Sequence, residues 1–215
     1  MTTEKATAEL AAKISDQWWR LNNLYTIRDK YGQVVEFKPN FAQENLYRNR
    51  WYFNVILKAR QLGMSTFILI YLLDSCLFEN NHAAGVIAHT REDSEELFKN
   101  KVKFAYDNLP EWVKKTFQAT QDTARKLEFS NGSSITVGTS LRSGTYQKLH
   151  ISEYGKIAAR YPDKAKEIKT GALNTVHAGQ QIFVESTAEG NTGEFYDLCK
   201  RARDRDWETN ICCPA

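Results

Sequence analysis

The sequence predicts an α/β fold with a mainly parallel central sheet, helices on its faces and a β-hairpin added to it. Three observations predict it. Short apolar runs recur at Tyr52–Leu57, Ala83–Ala88, Leu149–Ser152 and Gln181–Glu185. Helix-period segments separate them, as a parallel sheet with crossover connections requires. Asn131-Gly132, between Lys126–Phe129 and Ser134–Val137, marks a hairpin turn.

In chain order, residues 7–27 read as one helix, with Leu10, Ile14, Trp18 and Leu21 on one face and Lys13, Asp16 and Arg20 on another. Gln33–Phe37 is extended before Pro39, and a helix over Ala42–Asn49 leads into the apolar run Tyr52–Leu57. Ser65–Phe78 is an apolar helix and Ala83–Ala88 a buried strand. Glu92–Asn108 is amphipathic, and Pro110–Phe117 is a short helix with proline near its start. After the hairpin come the strand Leu149–Ser152, a helix over Asp163–Val176 and the strand Gln181–Glu185. A helix over Glu194–Arg203 and a last strand in Trp207–Cys212 complete the order.

A chain of 215 residues supports one good core, at most two domains. Hydrophobic content of 42%, charged content of 26% and only four prolines exclude a disordered chain. The net charge of +3 permits nucleic-acid binding without demanding it. The longest apolar run, Phe67–Leu73, stops at Asp74, which excludes a membrane span. Glu4, Lys5 and Glu9 stand where a secretory signal needs an apolar core. Cys76, Cys199, Cys212 and Cys213 form no C-x-x-C pair and no metal spacing with histidine, which fits buried thiols in the cytoplasm.

The chemistry concentrates between the first strong strand and the helix that follows it. Lys58-Ala59-Arg60-Gln61-Leu62-Gly63-Met64-Ser65-Thr66 fits a phosphate loop in part. Such a loop, G-x-x-x-x-G-K-[ST], cradles phosphates with backbone N–H groups, neutralises them with lysine and binds magnesium through its hydroxyl. Gly63 and Ser65 align with the second glycine and the hydroxyl; Met64 stands in the lysine's place and Lys58 in that of the first glycine. A plain strand-to-helix turn capped by Ser65 or Thr66 explains the same residues equally well. Cations at a strand mouth favour phosphate, because a buried strand has no structural use for Lys58 and Arg60. A phosphate loop also needs carboxylates at the end of a neighbouring strand, one for magnesium and one to polarise water. Leu149-His150-Ile151-Ser152-Glu153 ends in Glu153, the best candidate for the catalytic carboxylate.

The run Lys58–Thr66 resembles the ATPase loop of phage terminase large subunits, the motors that package viral DNA, over roughly residues 35–205. In that family the lysine is often moved to the loop's start, and an Arg-Gln-hydrophobic-Gly run such as Arg60–Gly63 is typical. The resemblance implies a P-loop NTPase fold of the ASCE type over residues 35–215, preceded by a helical segment over 1–34. It implies ATP and Mg2+ as ligands, with nucleotide contacts from Gln43 and the whole of Lys58–Thr66, including Ala59, Gln61, Leu62 and Met64. Gln43 would read adenine and Arg142 would reach a neighbouring subunit's ATP, with Arg60 as the alternative arginine. Metal would be held by Ser65, Glu153 and, through water, Ser152. The family usually has Asp-Glu where this chain has Ser152-Glu153, which leaves the magnesium side short of a formal charge. Ser186, Thr187 and Ala188 resemble the segment that couples hydrolysis to motion, and Ala88–Arg91 resembles a helicase-like segment facing nucleic acid.

By the same resemblance the partners are double-stranded viral DNA, a portal protein and a small terminase subunit. A homo-oligomeric ring is implied when assembled, with a monomer possible for the isolated domain, in the host cytoplasm and without a membrane. The family's nuclease domain has no counterpart after residue 205. The basic residues of Lys99-Lys101-Lys103, Lys114-Lys115 and Arg201-Arg203-Arg205 read as solvated faces rather than a DNA track. Two other readings stay open: a helicase-like ATPase of superfamily two, and a weak nucleotide- or DNA-binding module, which Met64 and Ser152 favour.

Overall fold

The computed structural model describes residues 3–141, 144–171, 180–204 and 210–211. The single helix expected over 7–27 is two helices, α1 (Thr3–Ser15) and α2 (Gln17–Asn23). Asp16 breaks it. Its carboxylate accepts from the Trp18 N–H at 2.8 Å and caps α2, the role in which aspartate outperforms its mid-helix propensity. The residues beyond turn into β1 (Thr26–Arg28), antiparallel to β2 (Val34–Glu36).

Next come α3 (Phe41–Asn49), β3 (Phe53–Leu57), α4 (Met64–Phe78) and β4 (Ala83–Ile87). The amphipathic stretch expected over Glu92–Asn108 is not one regular helix. It comprises α5 (Arg91–Leu97), a wider π-helical segment over Phe98–Lys103 and α6 (Phe104–Asp107). The rest of the chain adds α7 (Glu111–Thr116), β5 (Ala119–Asp122), β6 (Lys126–Phe129), β7 (Ser134–Gly138), β8 (Lys148–Ser152), α8 (Tyr154–Arg160), α9 (Pro162–Thr170), β9 (Gln181–Ser186), α10 (Glu194–Arg203) and β10 (Asn210–Ile211). β5 and α8 were not expected: β5 is a polar, largely exposed edge, and α8 is too short to show a period. Residues 172–176 of the expected helix, residues 207–209 and both C-terminal cysteines lie outside the described residues.

Among the described residues the main sheet has eight strands in the order β10-β3-β9-β8-β4-β7-β6-β5. From β10 to β7 every pair is parallel, and β7-β6 and β6-β5 are antiparallel. The hairpin therefore extends the central sheet through β7 rather than standing apart. Gly132 supplies the left-handed turn residue, and Asn131 Nδ2 donates to the Cys76, Leu77 and Glu79 carbonyls at the end of α4.

Alternation along the strands divides the interior in two. Ile56, Val86 and Phe183 face α4 in one cluster, whereas Val55, Ile87, Leu149, Ile151 and Val184 face α8, α9 and α10 in the other. Strands buried on both faces read as continuous apolar runs, which is why they stood out in the sequence. In α4 every residue from Phe67 to Leu77 is buried, so it is a core helix without a polar face. Each fully buried Leu or Ile of it contributes about 1.5–3 kcal/mol.

Candidate active site

The ends of three adjacent strands place the site. β9 lies between β3 and β8, with Glu185 in register with both Ile56 and Ser152. By strand alternation, Ile56 and Phe183 fix the face turned towards α4. Glu185, two residues beyond Phe183, therefore shares that face with His150 and Ser152. Lys58 continues it from the end of β3, its backbone N–H donating to Ser186 O at 3.0 Å.

Five side chains meet there, with His150 beside them. The Lys58 ammonium lies 2.9 Å from Glu153 Oε1 and 2.7 Å from Glu185 Oε2, and it donates to Ser65 Oγ at 3.2 Å. Glu185 Oε1 accepts from Ser65 Oγ at 2.7 Å and from Ser152 Oγ at 2.9 Å. His150, fully buried, brings Nε2 to 3.4 Å from the same oxygen, without hydrogen-bond geometry. Burial works against the charge on Lys58, but Glu185 and Glu153 outweigh it and hold its pKa above the ordinary lysine value. Burial likewise pushes the Glu185 carboxyl up; His150 and Lys58 more than offset this and hold it well below the usual carboxylate range. The pair is therefore ionised.

The loop between β3 and α4 is clasped from α3. Asn40 and Gln43 form a capping box, and Gln43 Nε2 donates to Gly63 O at 2.9 Å while Asn40 Nδ2 donates to Leu62 O at 3.1 Å. In this structure the Gln43 carboxamide is thus engaged by the loop itself. Gln61 and Gly63 are left-handed, with φ of 64° and 69°. The left-handed φ is what favours glycine at 63, and a Cβ there would also meet Gln43 Nε2 at 2.8 Å and displace the amide that holds the loop. Ala59, Arg60 and Gln61 are exposed, Leu62, Ser65 and Thr66 partly buried. Met64 turns the other way: it is fully buried in the α4 core.

Glu153 sits where β8 passes into α8, with a left-handed φ of 54°. Such a conformation in a non-glycine residue costs on the order of 1–3 kcal/mol and is concentrated at functional sites. It turns the partly exposed carboxylate towards Lys58. A cleft of about 420 Å³ opens beside it, lined among others by His89, Asn100, Lys101, Ser152 and Lys156. A larger cavity of about 600 Å³ lies between α8, α10 and the 188–193 loop, and none of the charged cluster's side chains lines it.

Three residues of this site were not picked out from the sequence: Glu185, His150 and Lys101. The signal for Glu185 was available, a charged residue inside the buried run Ile182–Ser186. Lys101 belongs to the π-helical segment, a geometry frequent at functional positions. Instead of facing solvent with Lys99 it donates to Thr66 Oγ1 at 2.7 Å. Burial, and then repulsion from Lys58, lower its pKa from the ordinary lysine value. Of the other lysines in the expected basic faces, Lys103 pairs with Asp122 and Lys114 with Glu111.

Ser186 is fully buried on the opposite face of β9, against Gly155 of α8; Thr187 is partly buried and Ala188 exposed. His89 pairs with Asp93 at 2.9 Å beside the 420 Å³ cleft, and Arg91 pairs with Glu95. Arg142 lies outside the described residues. Cys76 and Cys199 are buried thiols, neither of them in a disulfide. Among the described residues no helix is long and apolar enough to cross a membrane.

No protein-family model matches the chain, and neither does any curated protein sequence. Solved structures share its fold. The HK97 bacteriophage large terminase superposes with a TM-score of 0.64 at 18% identity, over 89% of this chain and 41% of that one. An ATPase-domain mutant of the Thermus phage P74-26 large terminase gives 0.57 at 16% identity, over 75% of this chain and 70% of that one. A DEAD box protein from the hyperthermophile Methanococcus jannaschii gives 0.51 at 13% identity, over 81% and 49% respectively. The fold is thus the α/β one expected, shared with large terminases and with this DEAD box protein. The chain spans under half the length of the HK97 protein.

Proposed function

We propose that this chain is the ATP-hydrolysing motor domain of a viral terminase large subunit, driving double-stranded DNA into a procapsid in the host cytoplasm. The observation that carries it is the gathering of Lys58, Ser65 and Glu153 at the mouth of a parallel sheet, on a fold shared with large terminases. Residues 35–215 form the motor domain in this reading, and residues 1–34 a helical segment leading into it. A portal protein and a small terminase subunit are the protein partners, and the working form is a ring.

In this reading the loop Lys58–Thr66 holds the ATP phosphates. Lys58 exchanges a carboxylate for phosphate oxygens, supplying the charge that Met64 does not. Glu153 polarises the attacking water. Bound magnesium would neutralise phosphate charge, and Ser65, Glu153 and Ser152 through water are the side chains offered to it. Gln43 holds the loop and reads adenine only if its amide leaves Gly63 O. Ser186, Thr187 and Ala188 transmit hydrolysis, which Ser186 can do through its seat against α8, the helix that directly follows Glu153. Arg142 acts on the ATP of a neighbouring subunit, with Arg60 as the alternative within the same one.

Steady-state ATP hydrolysis tests this. Glu153→Gln is expected to bind a fluorescent ATP analogue within about twofold of wild type yet hydrolyse ATP about a hundredfold or more slowly, the scale of a lost general base. Unchanged turnover would remove Glu153 from the role. If Arg142 acts across subunits, activity rises more steeply than linearly with protein concentration, and Arg142→Ala abolishes that steepness. Strictly linear activity argues against it.

The likeness to a DEAD box protein supports a second reading, a helicase-like ATPase. ATP-dependent strand separation of a short duplex, without translocation along intact duplex DNA, would favour it. Absence of hydrolysis at high protein concentration with DNA present would favour a weak binding module.

A further inference from the structure

A carboxylate is missing where magnesium-binding loops of this type need one, because residue 152 is serine. The structure offers a carboxylate one strand away. Glu185 is fully buried, yet it stands at the end of β9 between the strand that leads into the loop and the strand that carries Glu153. A buried carboxylate is costly unless paired and hydrogen-bonded. Glu185 finds its partners among residues of the site: Ser65 and Ser152 hydrogen-bond to Oε1, and the Lys58 ammonium pairs with Oε2, which among the described residues has no hydrogen bond of its own.

The chemistry of the donors points to a cation. Ser65 Oγ, Glu153 Oε1 and Glu185 Oε2 converge on one positive centre, the Lys58 ammonium, at 3.2, 2.9 and 2.7 Å. Hydroxyl and carboxylate oxygens are the hard ligands that magnesium takes, one or two carboxylates with the rest from water and phosphate. The ammonium occupies the place of the positive charge that such a site holds. Ser152 has its own part, since its hydroxyl fixes the Glu185 carboxylate towards Ser65. Serine at 152 and glutamate at 185 then form one arrangement, in which the acid has changed strands.

We propose that Glu185 is the magnesium-side carboxylate of this site, in place of an acid at position 152, with Ser152 as its positioning residue. The proposal rests on reading the loop as an ATP site. Its test measures the affinity of a fluorescent ATP analogue in magnesium and in EDTA, with no turnover involved. Wild type is expected to bind about tenfold more tightly with magnesium, and Glu185→Gln to lose most of that gain, as removal of one charged partner implies. Moving the acid back, in the double variant Glu185→Gln with Ser152→Asp, is expected to restore it. A purely structural role for Glu185 predicts no such restoration.

A Glu185→Gln protein that is folded by circular dichroism and keeps the full magnesium gain overturns the proposal. If the single variant does not fold, the double variant decides, because it keeps one carboxylate beside Ser65: a gain supports the proposal and its absence overturns it. Wild type that binds the analogue in neither buffer sinks the ATP-site reading and this proposal together. A wild-type gain untouched by Glu185→Gln sinks this proposal alone.

Discussion

Lys58→Ala is expected to hydrolyse ATP about a hundredfold to a thousandfold more slowly than wild type, the loss typical of removing one preorganised charge donor. The position that usually supplies this charge holds Met64, whose side chain lies in the core and cannot reach a phosphate. Two ammonium groups approach the loop, those of Lys58 and Lys101. Lys58 is held by Ser65 and by two carboxylates, whereas Lys101 has the hydroxyl of Thr66. Lys101→Ala, assayed alongside, separates their contributions. Full activity in Lys58→Ala would sink the relocated lysine, and a loss confined to Lys101→Ala would transfer its role there. The alanine variant also leaves Glu153 and Glu185 without the cation between them, so its folding must be checked by thermal melting before turnover is compared.

The largest effect on stability is expected at Asp74, far from the loop. Asp74→Ala should lower unfolding free energy by about 3–5 kcal/mol, the cost of breaking a buried ion pair by removing one partner. Asp74 is fully buried in α4. It accepts from Arg20 Nε at 3.0 Å, from an Arg20 terminal nitrogen at 2.7 Å and from Tyr25 OH at 2.7 Å. The Arg20 guanidinium also lies 4.0 Å from the centre of the Phe78 ring. Truncating Asp74 strands an arginine whose side chain is 8% exposed. Urea unfolding measures the loss. Changing the whole group, Arg20→Met and Tyr25→Phe with Asp74→Leu, is expected to recover most of it, since apolar residues often replace buried ion pairs at little cost and no hydroxyl is then left unpaired. A single variant within about 1 kcal/mol of wild type would show that the pair contributes no more than an exposed one.

Most of the sheet was legible because its strands are buried on both faces, and burial writes itself as apolar runs. The loop was legible through its glycine and its misplaced cation. What escaped depended on contacts distant in sequence. Arg20 looks like the polar face of an amphipathic helix, and only its pairing with Asp74, 54 positions on, accounts for its burial. Asp16 breaks a period that the apolar spacing carries straight through. Lys101 sits in a lysine-rich stretch whose regular helical reading spreads the charges into solvent, and the π-helical turn changes that geometry. Glu185 was the most consequential omission. Serine at 152 looked like an absence as long as β8 was considered alone, and the strand order that sets β9 beside it is a tertiary fact.

The burial of Met64 makes the position of the loop's lysine a linked choice rather than a local one. A lysine substituted at 64 would have to leave its ammonium in a hydrocarbon interior or push α4 off the sheet. A lysine removed from 58 would leave two acids facing each other. Conversion of this chain to the common loop therefore requires coordinated change at two places at least, with each single step handicapped. A designer grafting the standard Gly-Lys-Ser onto it should repack beneath α4 first and move the charge second.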